Sequence, residues 1–271
     1  MRLVTIRTAD GTSAGRLDGD RVVPLDAPDV AAVLAAGADN IAQAGTPVPL
    51  ADVDLAPVVP RPSKIICLGL NYRSHIEEMG AELPDNPTLF AKFAAALIGP
   101  RDPIRLPEAS KAVDWEAELA FVIGRRVRNV SGKEAADAIG GYTICNDVSM
   151  RDWQWRTSEW LQGKTWEGST PLGPALVTPD EVDHAADLLL RCEVDGDVVQ
   201  EARTCDLLFT PADIVSYVST IVTLEPGDVV STGTPSGVGA GLQPPRFLQP
   251  GQVVRTSIEG LGELVNECVK S

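Results

Sequence analysis

Residues 114–123 read Asp114-Trp115-Glu116-Ala117-Glu118-Leu119-Ala120-Phe121-Val122-Ile123. Successive side chains of an extended strand point to opposite faces. The alternation therefore puts Asp114, Glu116 and Glu118 on one face and Trp115, Ala117, Leu119, Phe121 and Ile123 on the other. Ala120 and Val122 continue the acidic face as an apolar one, which suggests burial further along. Carboxylates at i and i+2 repel each other unless water or a cation intervenes, and buried carboxylates need a counter-charge. Two readings stay open, a solvated acidic sheet face or a cation-holding one. A second strand, Gly141 to Asp147, ends in Asn146-Asp147 and brings a third carboxylate to a strand end. Glu116, Glu118 and Asp147 would form a hard, oxygen-only ligand set that suits Mg²⁺ or Mn²⁺ rather than zinc.

Outward from this stretch the chain alternates short β-like segments with turns. LAFVIG, GYTICND, LLLRCEVDGDVVQ, GDVVSTGTP and VVRTSIEGLGELVNECV read as strands or hairpins. Helical pattern is confined to GKEAADAIG and PADIVSYVSTIVTL, the latter with Pro in its first turn. The first 62 residues read as a small α+β unit and linker. It has strands at Leu3 to Arg7 and Arg21 to Leu25, a tight turn at Asp18-Gly19-Asp20, and an Ala-rich helix capped by Asp29. The linker is punctuated by Pro47, Pro49, Pro57, Pro60 and Pro62, and residues 63–271 follow as the main domain. The expected class is α+β, mainly β.

Composition narrows the function. Among 271 residues, 38 Asp+Glu against 23 Lys+Arg give a formal net charge of −15, which repels a phosphate backbone and argues against nucleic acid as a partner. No apolar run approaches the roughly 20 residues of a membrane span, and no signal peptide is evident, so a cytoplasmic protein is expected. Five cysteines without a close pair read as small buried apolar residues.

Other stretches carry candidate chemistry. In Asn71-Tyr72-Arg73-Ser74-His75-Ile76-Glu77-Glu78, i and i+3 share a helix face, so Glu78 can orient His75 as a general base. A surface His–Glu pair fits the same spacing. Gly163-Lys164-Thr165 lacks the earlier Gly of a P-loop, since position 158 is Ser. Lys164 is then a single cation aimed into a site, or a surface charge. Ser231 to Gly239 runs from strand to Gly-rich turn, either an anion-binding loop or a plain turn. His184 is expected to be exposed, and Trp153, Trp155, Trp160 and Trp166 to serve packing or a dimer contact.

The order of the motifs GLNYRSHIEEMG, PTLFAKF…GPRDPIRLP, VDWEAELAFVIGR, GYTICNDVSMRDWQ, GKTWEGSTPLGP and VVSTGTPSGVG resembles the fumarylacetoacetate hydrolase family, in its acylpyruvate hydrolase branch. The resemblance runs from residue 64 to 271, and the N-terminal unit is similar to the leading domain of many members. It implies a mixed β-sandwich or β-roll with a small N-terminal domain, a homodimer, one Mg²⁺ or Mn²⁺ per site, and a small-molecule keto-acid substrate. It also implies that Glu116, Glu118 and Asp147 bind the metal, that His75, Glu78 and Lys164 are catalytic, and that Arg151, Gln154 and Thr234 bind substrate. The implied reaction is hydrolysis of a 2,4-dioxo acid such as fumarylpyruvate to pyruvate and a carboxylic acid, with oxaloacetate decarboxylation at the same site as the nearest rival. A hydratase or lyase, and a silent metal-binding relative, are the further alternatives.

Overall fold

The computed structural model describes residues 1–37, 40–78 and 82–271, apart from the side chains of residues 75, 77 and 78. Its spine is an 11-stranded mixed sheet. From one edge the strands run Val48–Pro49, Arg21–Pro24, Gly11–Asp18, Arg2–Thr8, Thr170–Val177, Ile139–Asn146, Ala117–Ile123, Val229–Ser231, Ile65–Gly69 and Thr88–Lys92, with Leu97–Ile98 added to Thr170–Val177. A five-stranded sheet orders Asp197–Arg203, Leu189–Val194, Val253–Ile258, Gly262–Lys270 and Ile104–Leu106. The fold is mainly β, a mixed sandwich with a small N-terminal region, as the residue pattern and the family resemblance imply.

The strand read first is the centre of the molecule. All seven residues of Ala117–Ile123 are buried. Leu119, Phe121 and Ile123 join the core that also holds Cys192, Val194, Val254 and Ile258 of the five-stranded sheet. Ala120 and Val122 face the other way, into a second core with Leu3, Ala14, Val30 and Val33. The apolar continuation of the acidic face is thus covered by the N-terminal strands and helix. Burial on both faces explains an uninterrupted apolar run where a half-exposed strand would alternate.

Local turn chemistry follows the residues. Asp18 pairs with Arg21 across a turn in which Gly19 has φ +59°. Asp195-Gly196, both at positive φ, closes the Leu189–Val194/Asp197–Arg203 hairpin as an Asp-Gly turn does. Asp29 caps the helix Val30–Ala36 through Ala32 N–H at 2.8 Å, and Gly37 at φ +81° ends it, so the helix takes up only the first part of the Ala-rich stretch. The proline-rich stretch contributes only Val48–Pro49, at the sheet edge where a missing amide is tolerated. Gly11–Asp18 is a strand that the Gly- and Ser-containing sequence does not announce. Cys205 is exposed, contrary to the expectation of five buried thiols, because it lies in a short 3-10 turn at the surface; the other four are buried.

Candidate active site

Antiparallel register builds the acidic cluster. Ala117 stands opposite Asn146, so the residues just beyond, Glu116 and Asp147, meet at the same end of neighbouring strands, and Asp147 N–H donates to Glu116 O at 2.8 Å. Glu116 N–H donates to the Asn146 side chain at 3.0 Å, whose amide NH₂ reaches Thr256 of the other sheet at 2.9 Å. Carboxylate oxygens of Glu116, Glu118 and Asp147 all lie within 4.8 Å of one another, and all three residues are buried. Asp114 is not a fourth member. The strand breaks at Trp115 and Glu116, and Asp114 instead accepts from Arg151 Nε at 2.8 Å and from Gly239 and Ala240 N–H at 2.7 and 3.0 Å.

Three buried cations answer these groups. Lys164, at the end of the short helix Leu161–Lys164, donates to Glu116 Oε2 at 2.5 Å and to Asp147 Oδ2 at 3.0 Å. Lys92, at the end of Thr88–Lys92, donates to Asp147 Oδ1 at 2.5 Å. Arg151 bridges Asp114 and Glu116 Oε1, the latter at 2.6 Å, and donates to the Gln154 side-chain oxygen at 2.9 Å. Glu118 is left with neutral partners, the Ser231 hydroxyl at 2.5 Å and Gly233 N–H at 2.9 Å.

Among the described residues the charge balance is therefore one positive charge short, four buried carboxylates against three cations, and the shortfall falls on Glu118. Burial, then the charges of Asp147 and Glu116, push its carboxyl well above the usual carboxylate range. Burial also acts to raise Asp147, but Lys164 and Lys92 outweigh it and leave its pKa lowered to about 2. Burial acts to lower Lys164, yet Asp147 and Glu116 prevail and raise it to about 12. A hard divalent cation fits this set. It would find three clustered carboxylate donors and supply the charge that Glu118 lacks.

The cluster is the floor of a cleft of about 460 Å³. Glu116, Glu118, Arg151, Gln154, Lys164 and Thr234 line its polar part. Thr234 donates to Ala117 O at 3.1 Å and accepts from Gln200 at 2.8 Å, which ties the Gly-rich turn to the central strand. Expected binding positions Arg151, Gln154 and Thr234 are thus brought together with the acidic triad and Lys164. His75 and Glu78 lie on the helix Arg73–Glu78, which begins just beyond the cleft-lining Gly69 and Leu70. Asn71 anchors that connection by hydrogen bonds to Phe209 and Thr232. The side chains of His75 and Glu78 lie outside the described residues.

One member escaped the sequence reading. Lys92 sits at the end of PTLFAKF, and the i, i+2 relation to Phe90, which lines the cleft, is the pattern that points it inward. Alternation places Asp114 on the face of Glu116 and Glu118, whereas the structure makes it the anchor of Arg151. Of the tryptophans, Trp153 and Trp166 pack edge to face at 5.0 Å, whereas Trp155 and Trp160 line the cleft. His184 is exposed as expected.

Residues 64–269 match the sequence profile described as fumarylacetoacetate (FAA) hydrolase C-terminal, and residues 1–57 match one described as Rv2993c-like, N-terminal. The chain belongs to the fumarylacetoacetate hydrolase family. A mitochondrial oxaloacetate tautomerase, fahd2 of Xenopus laevis, is 48% identical over 217 residues, 79% of this chain and 68% of the relative. The crystal structure of a 5-carboxymethyl-2-hydroxymuconate delta-isomerase from Mycobacterium smegmatis superposes with a TM-score of 0.85 at 37% identity, covering all of both chains. A maleylpyruvate hydrolase from Sphingobium, solved with manganese(II) and pyruvate, matches over all of both chains at 29% identity and a TM-score of 0.80. As a family member this chain is an enzyme of hydrolase, isomerase or tautomerase type. A divalent metal site is supported by the acidic triad and by the manganese in that neighbour. Among the described residues no helix is long and apolar enough to cross a membrane.

Proposed function

We propose that the chain is a divalent-metal-dependent enzyme that interconverts the keto and enol forms of a 2-oxo acid. The buried Glu116–Glu118–Asp147 set, one positive charge short at the floor of a cleft, carries this reading. The tautomerase and isomerase names of the relatives support it. These three carboxylates would hold Mg²⁺ or Mn²⁺, which when bound supplies Lewis-acid polarisation of the substrate's oxygens. Lys164, hydrogen-bonded to Glu116 and Asp147, offers its positive charge where negative charge develops on the substrate. Arg151, pinned to Asp114 and Gln154, presents with Gln154 a preset polar surface for the carboxylate end, and Thr234 lines the same cleft. His75, which the family resemblance pairs with Glu78, is assigned the proton transfer. A homodimer in the cytoplasm completes the reading; the Xenopus relative is mitochondrial.

Hydrolysis of an acylpyruvate is the second reading, favoured by the maleylpyruvate hydrolase neighbour. There His75 removes a proton from water that attacks the C4 carbonyl, Lys164 neutralises the oxyanion, and cleavage of the C–C bond releases pyruvate and a carboxylic acid. One experiment separates the readings. Metal-stripped protein, with and without Mg²⁺ or Mn²⁺, is given oxaloacetate, acetylpyruvate and fumarylpyruvate while enol absorbance and pyruvate are followed together. Metal-dependent loss of the enol signal without pyruvate supports the tautomerase. Pyruvate from an acylpyruvate establishes the hydrolase, and pyruvate from oxaloacetate alone a decarboxylase. No metal-dependent change with any acid refutes both proposals.

A further inference from the structure

We infer that the aromatic wall of the cleft, formed by Phe90, Trp155 and Trp160, binds an apolar and preferably aromatic arm on the 2-oxo acid, with Trp160 as the residue that sets this preference. The inference rests on reading the floor as a 2-oxo-acid site and adds the class of substituent that the rest of the cleft takes.

The lining divides sharply. One set is polar, with Glu116, Glu118, Arg151, Gln154, Lys164 and Thr234; the other is apolar, with Leu68, Leu70, Phe90, Trp155, Trp160 and Val238 among its members. Arg151 and Lys164 are the only cations among the described lining residues, and both are committed to floor carboxylates. A second carboxylate carried up the wall would lose water without gaining a counter-charge, which costs several kcal/mol for a buried ion. An apolar arm gains free energy from the same desolvation.

Contacts within the chain fix the aromatic side chains in place. Trp160 meets Phe90 edge to face, ring centroids 5.6 Å apart and planes at 66°. The Lys164 ammonium lies 5.0 Å from the Phe90 centroid, so the phenyl ring joins floor to wall. Trp160 occupies space that only a glycine leaves free, since a Cβ on Gly69 would fall 2.3 Å from the indole ring. Next to it Leu70 is held at φ +56°, a costly conformation for a leucine, by the flanking hydrogen bonds of Asn71 to Phe209 and Thr232. Trp155, which also lines the cleft, is 64% exposed, a large aromatic surface left uncovered by the described residues. A third ring entering beside the Phe90–Trp160 pair would extend the aromatic cluster at offset or edge-on geometry. A four-carbon dicarboxylate makes no use of such a wall.

The test uses the full-length, Mn²⁺-loaded enzyme and ranks kcat/KM for keto–enol conversion or cleavage of benzoylpyruvate, acetylpyruvate and oxaloacetate. Benzoylpyruvate is expected to lead both others by at least tenfold. Trp160→Ala is expected to cut the ratio of benzoylpyruvate to oxaloacetate at least tenfold, and Trp160→Leu by less, chiefly through KM for the aryl substrate. Melting temperature and Mn²⁺ affinity, measured alongside, separate lost fold from lost selectivity; if a variant does not fold, the wild-type ranking decides. Turnover of oxaloacetate at or above the rate for benzoylpyruvate overturns the inference and leaves the functional reading intact. So does a ratio that folded Trp160→Ala leaves unmoved. No turnover of any of the three removes both.

Discussion

Replacing Glu118 with Gln tests the charge argument directly, because it should separate stability from metal binding. Glu118 is the one carboxylate of the triad without a cation partner, and its contacts are a hydroxyl and a backbone N–H. Two ionised carboxylates 4.8 Å apart repel by about 3.5 kcal/mol at an effective dielectric of about 20. Glutamine removes two such repulsions along with a weaker attraction to Lys164, and its carbonyl oxygen still accepts from Ser231 and Gly233. The raised carboxyl fixes the sign: a group whose pKa rises on folding adds stability below its unfolded pKa and loses it as pH climbs through the folded value. Metal-free Glu118→Gln should therefore melt at or above metal-free wild type at pH 7. With Mn²⁺ at a hundred times Kd, wild type should gain about 2.7 kcal/mol, about 5 °C in Tm for a chain of this size, and the variant almost none. Calorimetry of both proteins with EDTA and with Mn²⁺ provides the assay. A metal-free variant melting several degrees below wild type, or one keeping the full Mn²⁺ shift, would refute the reasoning.

Three further outcomes are expected. Lys92→Met breaks a fully buried ion pair with Asp147 and should cost about 3–5 kcal/mol in denaturant titrations without metal, with part of the loss recovered in Mn²⁺, which replaces the missing charge. His75→Ala should lower water-dependent cleavage of an acylpyruvate by about 10²–10⁴-fold while sparing decarboxylation of oxaloacetate, which needs no activated water; equal losses in both assays would remove His75 from water activation. Lys164 is raised from 10.5 to about 12, so the stability it contributes is fully present below pH 10.5 and fades as pH rises through 12; the gap between metal-free wild type and Lys164→Met should be flat from pH 7 to 10 and close only above that.

Much of the site was legible because its carboxylates lie on two strands whose ends are marked in the sequence. Alternation alone aligns Glu116 with Glu118, and the polar Asn146-Asp147 pair closes an otherwise apolar strand. Lys92 was less visible because its partner is 55 residues away, and a lysine ending a strand reads equally well as a surface charge. Asp114 misled because alternation assumes an unbroken strand, whereas the chain breaks at Trp115 and Glu116 to let Asp114 turn toward Arg151 and the Gly239 loop.

Periodicity and turn residues determined a β-rich fold, because each depends on neighbours within a few residues, and the order of the motifs pointed to the family, while the acidic set stayed open between a solvated face and a cation site. The partner of each charge was decided only in three dimensions. Lys164 and Lys92 share Asp147, Arg151 is held by Asp114 and Glu116, and Glu118 is left to neutral donors. Side chains that share no local spacing meet there because the central strand brings its own end and its neighbours' ends to one buried point. Burial then turns an ordinary excess of one carboxylate into a demand for a cation.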